Sequence, residues 1–305
     1  MKRVDVYMLS ENVPNVTVVI VNYNAGHWLL LSVASALSQA SRVIVVDNAS
    51  VDTSIALLEE QYSQDVRVVV IRSEKNQGFA TACNQGAAVA NTPFIFFLNP
   101  DCVLKPYAIT ALTYTMQSDP KIGMAGGLLT DENGIEQRSG RRLIPTVSSA
   151  LIQLLGLSRY FCDFNLHKEP LPSAPVEVEA ISGAMMFVRR EAFYAVDGFD
   201  EGYFLHCEDL DICMRFHLAK WKIVFVPEAV TMHGRGICSR SRRIFVSWNK
   251  HRGMFRFYCK FFHPRFSWLA TGCVAIGIYV HFALIVVRHF IVGFLPRLVR
   301  RKHAG

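Results

Sequence analysis

The segment FLHCEDLDICMRF, residues 204–216, places three carboxylates inside an otherwise apolar stretch. Apolar residues recur in and just after it at the spacing of a helix packed on a core: Leu210, Met214 and Leu218. We therefore expect at least one of Glu208, Asp209 and Asp211 to lie at the core edge. The acids could form the acidic first turn that a helix dipole favours, with Asp211 and Arg215 paired four residues apart, or they could carry chemistry. This segment alone leaves both interpretations open.

Polar residues also follow each of four apolar runs in the first hundred residues. The four polar segments are Asn22-Tyr23-Asn24, Asp47-Asn48-Ala49-Ser50, Asn76-Gln77-Gly78 and Asn99-Pro100-Asp101. Any one of them could be an ordinary turn or helix cap, because Asn, Asp, Ser and Gly are common there. Four such segments in succession favour a binding site instead.

The apolar runs that precede these segments are the elements that must position them. VTVVIVN, RVIVVD, VRVVVI and PFIFFL each come before a helical segment, near residues 26–38, 52–62, 78–90 and from about Pro106. Continuous apolar strands alternating with helices predict an α/β fold with a doubly wound, mostly parallel sheet. Ligands bind such sheets beyond the carboxyl ends of the strands, which is where the polar segments fall.

The second half of the chain is predicted to add further strands. IGMAGGLL and AISGAMMFV are buried runs, and WKIVFVP and VTMHGRG are predicted to be two short strands ending at His233. SSALIQLLGL is a short apolar segment between IGMAGGLL and AISGAMMFV. At 305 residues and 51% hydrophobic, the chain can bury one large domain with an appendage.

The eight cysteines show no C-x-x-C pair, so we predict buried thiols in a reducing compartment. The first fifteen residues, MKRVDVYMLSENVPN, lack an uninterrupted apolar run. The expectation from them is that no secretory signal is present.

Charge is distributed very unevenly along the chain. Residues 1–233 carry 18 basic and 25 acidic residues, a net charge of −7, whereas residues 234–305 carry 14 basic residues and no acid. A basic tail of this kind usually meets nucleic acid or anionic lipid. Lipid is favoured, because the basic residues flank Trp268–Val287, a stretch of 20 residues without a formal charge. Nucleic-acid binders instead interleave basic residues with exposed aromatics, so no nucleic-acid partner is predicted.

No glycine-rich phosphate loop follows the first strand, which argues against dinucleotide oxidoreductases and P-loop enzymes. A nucleotide could still be held by Asp47, with its diphosphate neutralised by a metal ion. Asp101 and His233 are the available ligands, and oxygen and nitrogen donors at a strand edge suit Mg²⁺ or Mn²⁺.

The sequence resembles the inverting family 2 glycosyltransferases of the GT-A fold, in particular their bacterial rhamnosyltransferase-like branch. The resemblance runs from about Val16 to Ser239. It is carried in order by VVIVNYN, VVDNAS-x-D, NQGFATACNQG, FLNPD, ISGAMMFVRREAF, GFDEGYFLHCEDLDICMR and H-x-x-G with a following serine.

The resemblance implies a role for several residues. Asp47 and Asp52 would recognise the nucleoside, Asp101 would be the last acid of the D-x-D metal motif, and His233 would be the late histidine ligand. Asp209 would be the catalytic base, and Glu208 would orient the base or the acceptor. The implied nucleotide-sugar site comprises Asn22, Asn24, Asp47, Asn48, Ser50, Asp52, Asn76, Gly78, Asn84, Asn99 and Gly183. Position 99 departs from the D-x-D motif, since it is Asn, which leaves the metal with fewer charged ligands.

The implied activity is a metal-dependent inverting transfer of a sugar, L-rhamnose from dTDP-rhamnose, to a lipid-linked or polysaccharide acceptor. A UDP-hexose or UDP-galactofuranose donor is an alternative within the fold, and a non-catalytic membrane tether is an alternative from another class. Apolar surroundings are expected to raise the pKa of the base. The expected organisation is a catalytic domain over residues 1–240 and a helical membrane-associating segment over residues 241–305, at the cytoplasmic face of the cell membrane.

Overall fold

The computed structural model describes residues 14–146, 165–234, 242–263 and 267–301, with the side chains of residues 292–301 left out. The chain divides into two compact units. The first comprises residues 1–144 and 164–240, and the second comprises residues 145–163 and 241–305. The short apolar segment SSALIQLLGL and Ser239 lie outside the described residues, as does nearly all of the N-terminal segment without an apolar run.

The described part of the first unit contains eleven strands and six helices. The strands are β1 (Val16–Asn22), β2 (Arg42–Asp47), β3 (Val68–Arg72), β4 (Phe94–Leu98), β5 (Cys102–Leu104), β6 (Ile122–Thr130), β7 (Arg141–Arg142), β8 (Val176–Glu177), β9 (Ala180–Ile181), β10 (Met185–Arg189) and β11 (Lys222–His233). The helices are α1 (Trp28–Leu37), α2 (Ser54–Tyr62), α3 (Phe79–Ala88), α4 (Ala108–Ser118), α5 (Arg190–Ala195) and α6 (Glu208–Leu218).

Nine of the described strands form one sheet, with the order β3-β2-β1-β4-β10-β6-β11-β5 and β8 added beside β11. β1 to β4 pair in parallel, and β6 pairs in parallel with β11. β10 runs antiparallel between β4 and β6, so β6 and β11 point the same way as β1 to β4. The carboxyl ends of all these parallel strands therefore meet at one edge of the sheet. β5 and β10 begin at that same edge because they run in the opposite direction.

The sheet is covered on both faces, as the continuous apolar strands predict. One core lies between the sheet and helices α1 and α4, and the other lies beneath α3, α5 and α6. All seven residues of β1 and all five of β4 are buried. Burial on both sides explains why these strands lack the alternation of half-exposed strands. At Gly127 in β6, an added Cβ would lie 2.0 Å from the carbonyl oxygen of Ala229, so only glycine fits.

Three sequence predictions need correction. The two short strands predicted before His233 are one strand, β11, with an irregular pairing between Val226 and Val230. The run AISGAMMFV is divided at Gly183 into β9 and β10. The buried face of α6 is also different from the one predicted, because Leu218 is exposed and the buried residues are Glu208, Asp211, Ile212, Cys213 and Phe216.

The predicted pair of Asp211 with Arg215 is confirmed, with 2.6 Å between Oδ1 of Asp211 and Nε of Arg215. The cysteine prediction is correct for four of the six described cysteines, which are buried, but Cys259 is half-buried and Cys273 is exposed.

The described part of the second unit contains two helices, α7 (Arg243–Phe261) and α8 (Trp268–Arg301). They pack as an antiparallel hairpin. Close to the connection, the hydroxyls of Tyr258 and Thr271 are 3.5 Å apart, and farther along Trp248 packs on Phe282 with ring centroids 5.3 Å apart.

Between these contacts, Nε2 of His251 lies 2.9 Å from Nδ1 of His281. The part of α8 over residues 268–291 is long and apolar enough to cross a membrane. Its most apolar 18-residue stretch has a mean hydropathy of 2.2, and 6% of that stretch is buried.

Candidate active site at the strand edge

Asn22, the last residue of β1, lies at the centre of a buried cluster of hydrogen-bonded side chains. Its Nδ2 lies 2.9 Å from Oδ1 of Asp47, 3.0 Å from Oγ of Ser50 and 2.8 Å from Oγ of Ser54. Asn22 is fully buried, so it positions Asp47 and Ser50 and does not reach the surface. Oδ2 of Asp47 accepts the backbone N–H of Ser50 at 3.2 Å. Each Asp47 oxygen thus has one hydrogen bond and keeps capacity for another.

Asn24 and Asp52 join the loops that follow β1 and β2. Oδ1 of Asn24 accepts the backbone N–H groups of Val51 and Asp52 at 2.8 and 3.2 Å. In return, Asp52 accepts the N–H of Gly26 at 2.8 Å through Oδ2 and both polar groups of Ser54 through Oδ1. The Asp52 carboxylate therefore holds the two loops together. Its role in nucleoside recognition stays a prediction.

Asn48 shapes the loop that follows β3. Its Nδ2 donates to Oδ1 of Asn76 at 3.0 Å and to the carbonyl of Gly78 at 3.1 Å, while its Oδ1 accepts the N–H of Gln77 at 2.9 Å. Oδ1 of Asn76 also accepts the N–H of Gly78. The Asn48 amide is thus occupied within the chain, and both of these hydrogen bonds to Asn76 use its Oδ1.

The same loop is fixed to the segment that leads into α6. The backbone N–H of Phe79 donates to the carbonyl of Phe204 at 2.9 Å. Gly78 has φ of +92°, and an added Cβ there would lie 2.6 Å from that carbonyl oxygen. Gly78 is therefore required by this close approach, whatever it does toward a nucleotide. We call this contact the Phe79–Phe204 link.

Asn84, on α3, bonds to the loop that precedes α6. Its Nδ2 donates to the carbonyl of Phe199 and to Glu201 at 2.9 Å each, and its Oδ1 accepts the N–H of Phe199. The side chain supports the loop over residues 198–201. Direct nucleotide contact by Asn84, which the resemblance implies, stays a prediction.

Asp101 and His233 meet at the start of β5 and the end of β11. Oδ1 of Asp101 lies 3.3 Å from Nε2 of His233, and both side chains are largely buried. β5 and β11 pair antiparallel with Cys102 opposite His233, which brings the two residues together. Asn99 places its backbone groups in hydrogen bonds with Ala184, Ser32 and Cys102 at this edge.

Gln137 fixes the orientation of the His233 ring. Its Nε2 donates to the carbonyls of Thr130 and His233 at 3.2 and 2.8 Å, so its Oε1 must act as an acceptor. Nδ1 of His233 lies 2.9 Å from that oxygen and therefore carries a hydrogen. In the neutral ring, Nε2 then presents its lone pair to Asp101.

A lone pair and a carboxylate oxygen 3.3 Å apart repel each other unless a cation or proton lies between them. Two ligands of one octahedral cation at about 2.0–2.1 Å lie roughly 3 Å apart, so this pair fits Mg²⁺ or Mn²⁺. Cys102 completes a group of three possible ligands. However, its thiol hydrogen points to the carbonyl of Ala184 at 3.5 Å, and burial keeps the pKa of the thiol well above its usual value. A hard cation would bind Asp101 and His233 and leave the thiol protonated.

The two acids at the start of α6 lie in different surroundings. The backbone before them is in the left-handed region at His206 and Cys207, with φ of 70° and 71°, which is costly for residues with side chains. This turn makes Glu208 the first residue of the helix, on its buried face. Asp209 is partly exposed, and its Oδ2 accepts hydrogen bonds from Arg142 at 2.5 Å and from the N–H of Gly183 at 3.3 Å.

These surroundings separate the pKa values of the two acids. Burial, with the charge of Asp209 added, raises the pKa of Glu208 to about 8. Burial alone would also raise the pKa of Asp209, but the charge and hydrogen bond of Arg142, together with the Gly183 amide, hold it below its usual value. The expectation that apolar surroundings raise the pKa of the base is therefore wrong for Asp209 and correct for Glu208.

Sequence reasoning missed Ser54, Gln137 and Arg142. Arg142 lies in a polar, turn-rich stretch whose composition says nothing of its partner. The one available signal is the pair Arg141-Arg142 in a strand, because neighbouring strand residues point to opposite sides. Gly183 is predicted to contact the nucleotide. An added Cβ there would lie 3.3 Å from Cβ of Asp209, so Gly183 allows the turn between β9 and β10 to approach α6 closely.

Comparison with solved structures identifies the fold as GT-A. A mannosyltransferase from Pyrobaculum calidifontis, PcManGT, in complex with GDP-Man and Mn²⁺, matches with a TM-score of 0.57 at 11% identity, over 96% of this chain and 86% of that chain. GalNAc-T7 with UDP, GalNAc and Mn²⁺ matches with a TM-score of 0.57 at 20% identity, over 73% of this chain and 44% of that one.

The profile of Glycosyl transferase family 2 matches residues 17–196, and the chain belongs to that family, in its rhamnosyltransferase-like branch. N-acetylglucosaminyl-diphospho-decaprenol L-rhamnosyltransferase of Mycobacterium tuberculosis is 30% identical over 267 residues, which cover 78% of this chain and 86% of that protein. Rhamnosyltransferase WbbL of Escherichia coli (strain K12) is 31% identical over 145 residues, covering 47% of this chain and 53% of the relative.

Replacing Gln137 with leucine should weaken Mn²⁺ binding about 10–100-fold, because the His233 ring loses the acceptor that fixes its tautomer. Titration of Mn²⁺ followed by electron paramagnetic resonance measures this directly. Gln39→Leu is the control, since Gln39 also bonds to backbone carbonyls but lies on the α1 side of the fold. Asp101→Ala and His233→Ala should each abolish the site. An unchanged Mn²⁺ affinity in Gln137→Leu would show that the ring orientation is set in another way.

The raised pKa of Glu208 predicts that stability depends on pH. Its contribution is fully present below pH 4.5, its ordinary pKa, and is lost progressively up to about pH 8, because only the folded state holds the proton in that window. Glu208→Gln should remove a slope of up to about 1.4 kcal/mol per pH unit. Urea unfolding at several pH values tests this, with Glu60→Gln on the exposed side of α2 as control. Parallel pH profiles for wild type and Glu208→Gln would contradict the assignment.

Proposed function

We propose that this glycosyltransferase moves L-rhamnose from dTDP-rhamnose to a lipid-linked saccharide, with inversion at the anomeric carbon and with a divalent cation bound at Asp101 and His233. The observation that carries the proposal is the edge where the parallel strands end. It brings a carboxylate held in its ionised form, Asp209, to the same edge as the paired ligands Asp101 and His233. The similarity to a mycobacterial rhamnosyltransferase over 78% of this chain supports the donor sugar and the lipid-linked acceptor.

The donor half of the site is the region after β1 to β3. Asp47 keeps hydrogen-bonding capacity on both carboxylate oxygens and is held in place by Asn22. It is the residue best suited to the hydroxyl or N–H groups of a nucleoside. Asn76 and Asn99, which are only half-buried, can add contacts from the neighbouring loops.

The cation would be Mg²⁺ or Mn²⁺, and when bound it would supply charge to the leaving diphosphate as a Lewis acid. Asp101 contributes the negative charge of the ligand pair. Gln137 keeps the Nε2 lone pair of His233 directed toward the Asp101 carboxylate. With Asn99 in place of an acid, the chain offers few charged ligands, so diphosphate oxygens are expected to complete the coordination.

In the transfer, the acceptor hydroxyl gives its proton to Asp209 while its oxygen forms the bond to the anomeric carbon. The bond from that carbon to the diphosphate oxygen breaks, and the nucleoside diphosphate leaves with the electron pair. Attack from the face opposite the leaving group inverts the configuration. Asp209 suits this role because it is ionised, partly exposed and held by fixed donors.

The second unit supports attachment to a membrane surface. The exposed side of α8 carries large apolar residues along its length: Trp268, Leu269, Ile276, Val280, Leu284, Val287 and Ile291. The first half of α8 lies along α7, whose exposed side carries Lys250, Arg252, Arg256 and Lys260. A full span would draw these charges into the hydrocarbon at about 2.5–3.5 kcal/mol each. A hairpin lying in the interface keeps them among anionic headgroups.

The transfer reaction is tested by Asp209→Asn with dTDP-rhamnose and a polyprenyl-diphosphate-linked N-acetylglucosamine. The variant should bind donor and Mn²⁺ normally and lose about 10²–10⁴-fold in kcat, because a general base is removed. Asp119→Asn is the control. Asp119 pairs with Lys222 and lies just before the first residue of β6, at the opposite end of the sheet from Asp209. Turnover by wild type only with UDP-hexoses or UDP-galactofuranose would overturn the donor, and near-normal kcat in Asp209→Asn would overturn the base.

Membrane attachment is tested with the double variant Ile276→Glu/Leu284→Glu in the full chain. Co-sedimentation with vesicles of anionic and neutral phospholipid should fall at least about tenfold, since burying each side chain is worth about 1.5–3 kcal/mol. Leu218→Glu is the matched control, because Leu218 is equally exposed but lies on α6. A C-terminal tag should be cleaved in inverted vesicles and protected in sealed cells. Protection of the tag in inverted vesicles would instead indicate a span, and equal vesicle binding by all variants would exclude attachment through α8.

A further inference from the structure

Arg142 is the basic residue in contact with Asp209, and its own position is fixed by strand pairing. It forms the end of β7, which pairs antiparallel with β9 so that Arg142 lies opposite Ala180. Its Nη2 donates to the carbonyl of Ile181 at 2.9 Å as well as to Oδ2 of Asp209. The side chains of Arg142 and Asp209 are only 10% and 16% exposed.

The hydrogen bonds of Asp209 leave one oxygen available. Oδ2 accepts from Arg142 and from the N–H of Gly183, which uses both of its lone pairs. Oδ1 accepts the N–H of Leu210 at 2.8 Å and keeps one lone pair. The acceptor hydroxyl can therefore deliver its proton only to Oδ1 without displacing an existing bond.

We propose that Arg142 is a positioning residue which selects Asp209 over Glu208 as the base, and Oδ1 over Oδ2 as the atom that takes the proton. The inference rests on the proposed function and deepens it, because it names a residue on which the proposed base, Asp209, depends. Arg142 contacts Asp209 directly, so we expect it to act through that carboxylate.

The neighbouring charges are consistent with this selection. The titratable or charged groups that face Asp209 among the described residues are Glu208 and Cys213 on α6, His206 before α6 and Arg142 on β7. Gly183 before β10 contributes only its amide. Two adjacent acids in a buried site do not both ionise readily. Arg142 stabilises the charge on Asp209, and Glu208 retains the proton, in agreement with its pKa of about 8.

The test compares Arg142→Met and Arg142→Lys with wild type in the full chain. Arg142→Met should lower kcat at least about tenfold with the donor KM unchanged within about twofold. The acid limb of its pH profile should move up by about 1–3 pH units, which is the usual effect of an adjacent arginine on a carboxyl. Arg142→Lys should restore part of both properties, since it keeps the charge.

Arg141→Met is the matched control. Arg141 is the neighbouring buried arginine of β7, but it pairs with Glu136 at 2.8 Å and does not touch Asp209. It should lose stability without moving the acid limb. In the Asp209→Asn background, Arg142→Met should cause no further loss of kcat, because residues that act through each other are not additive. An unmoved acid limb in Arg142→Met, or a full additional loss in the Asp209→Asn background, would overturn the inference.

A readout that needs no donor separates this inference from the proposed function. The depressed pKa of Asp209 contributes stability that is present above pH 3.8, its ordinary value, and is lost as the pH falls through the lower value of the folded state. Arg142→Lys should retain this acid-side loss, and Arg142→Met should remove it. Absence of rhamnose transfer by wild type would count against the proposed donor only. An unchanged acid-side profile in a folded Arg142→Met variant would count against the role of Arg142.

Discussion

Buried polar groups must be hydrogen-bonded, and this requirement determines how the edge of the sheet is used. The parallel strands end in Asn, Asp and His side chains that the fold largely withdraws from water. Each unpaired group there would cost about 1–3 kcal/mol. Most of these side chains therefore bond to one another, as Asn22 does with Asp47 and Asn48 does with Asn76. Asp47 keeps hydrogen-bonding capacity on both oxygens, which suits it to meet a substrate.

The sequence was sufficient for the fold because strand burial and strand-end chemistry are local signals. β1 to β4 and their helices follow directly from continuous apolar runs, and the convergence of Asp101 and His233 follows from strand direction. The buried face of α6 was harder to predict from the sequence. The spacing of its apolar residues suggests one buried side, but the side that is buried carries Glu208 and Asp211. The spacing of the apolar residues places at least one acid at the core edge, as the structure confirms, but it does not show which one. Arg215 pairs with Asp211, which makes that burial possible, and Glu208 is buried as an acid that retains its proton.

What the sequence could not supply is the pairing between distant residues. Gln137 lies 96 residues from His233, and Arg142 lies 67 residues from Asp209. Neither falls within a pattern that composition or periodicity would select. Both act on a side chain that the sequence did identify, one by fixing a tautomer and the other by holding a charge. Residues of this kind become visible only when the hydrogen bonds of an identified group are traced outward.

The Phe79–Phe204 link couples the loop after β3 to the segment that leads into α6. The loop after β3, on the proposed donor side, is hydrogen-bonded to and closely packed on the segment that leads into α6 and the proposed base. A nucleotide sugar that restricts the first loop would therefore also restrict the second. Such coupling would favour an order of binding in which the nucleotide sugar enters before the acceptor. A donor bound alone would then lie beside an ordered carboxylate, and exclusion of water from that carboxylate would decide how much of the donor is lost to hydrolysis.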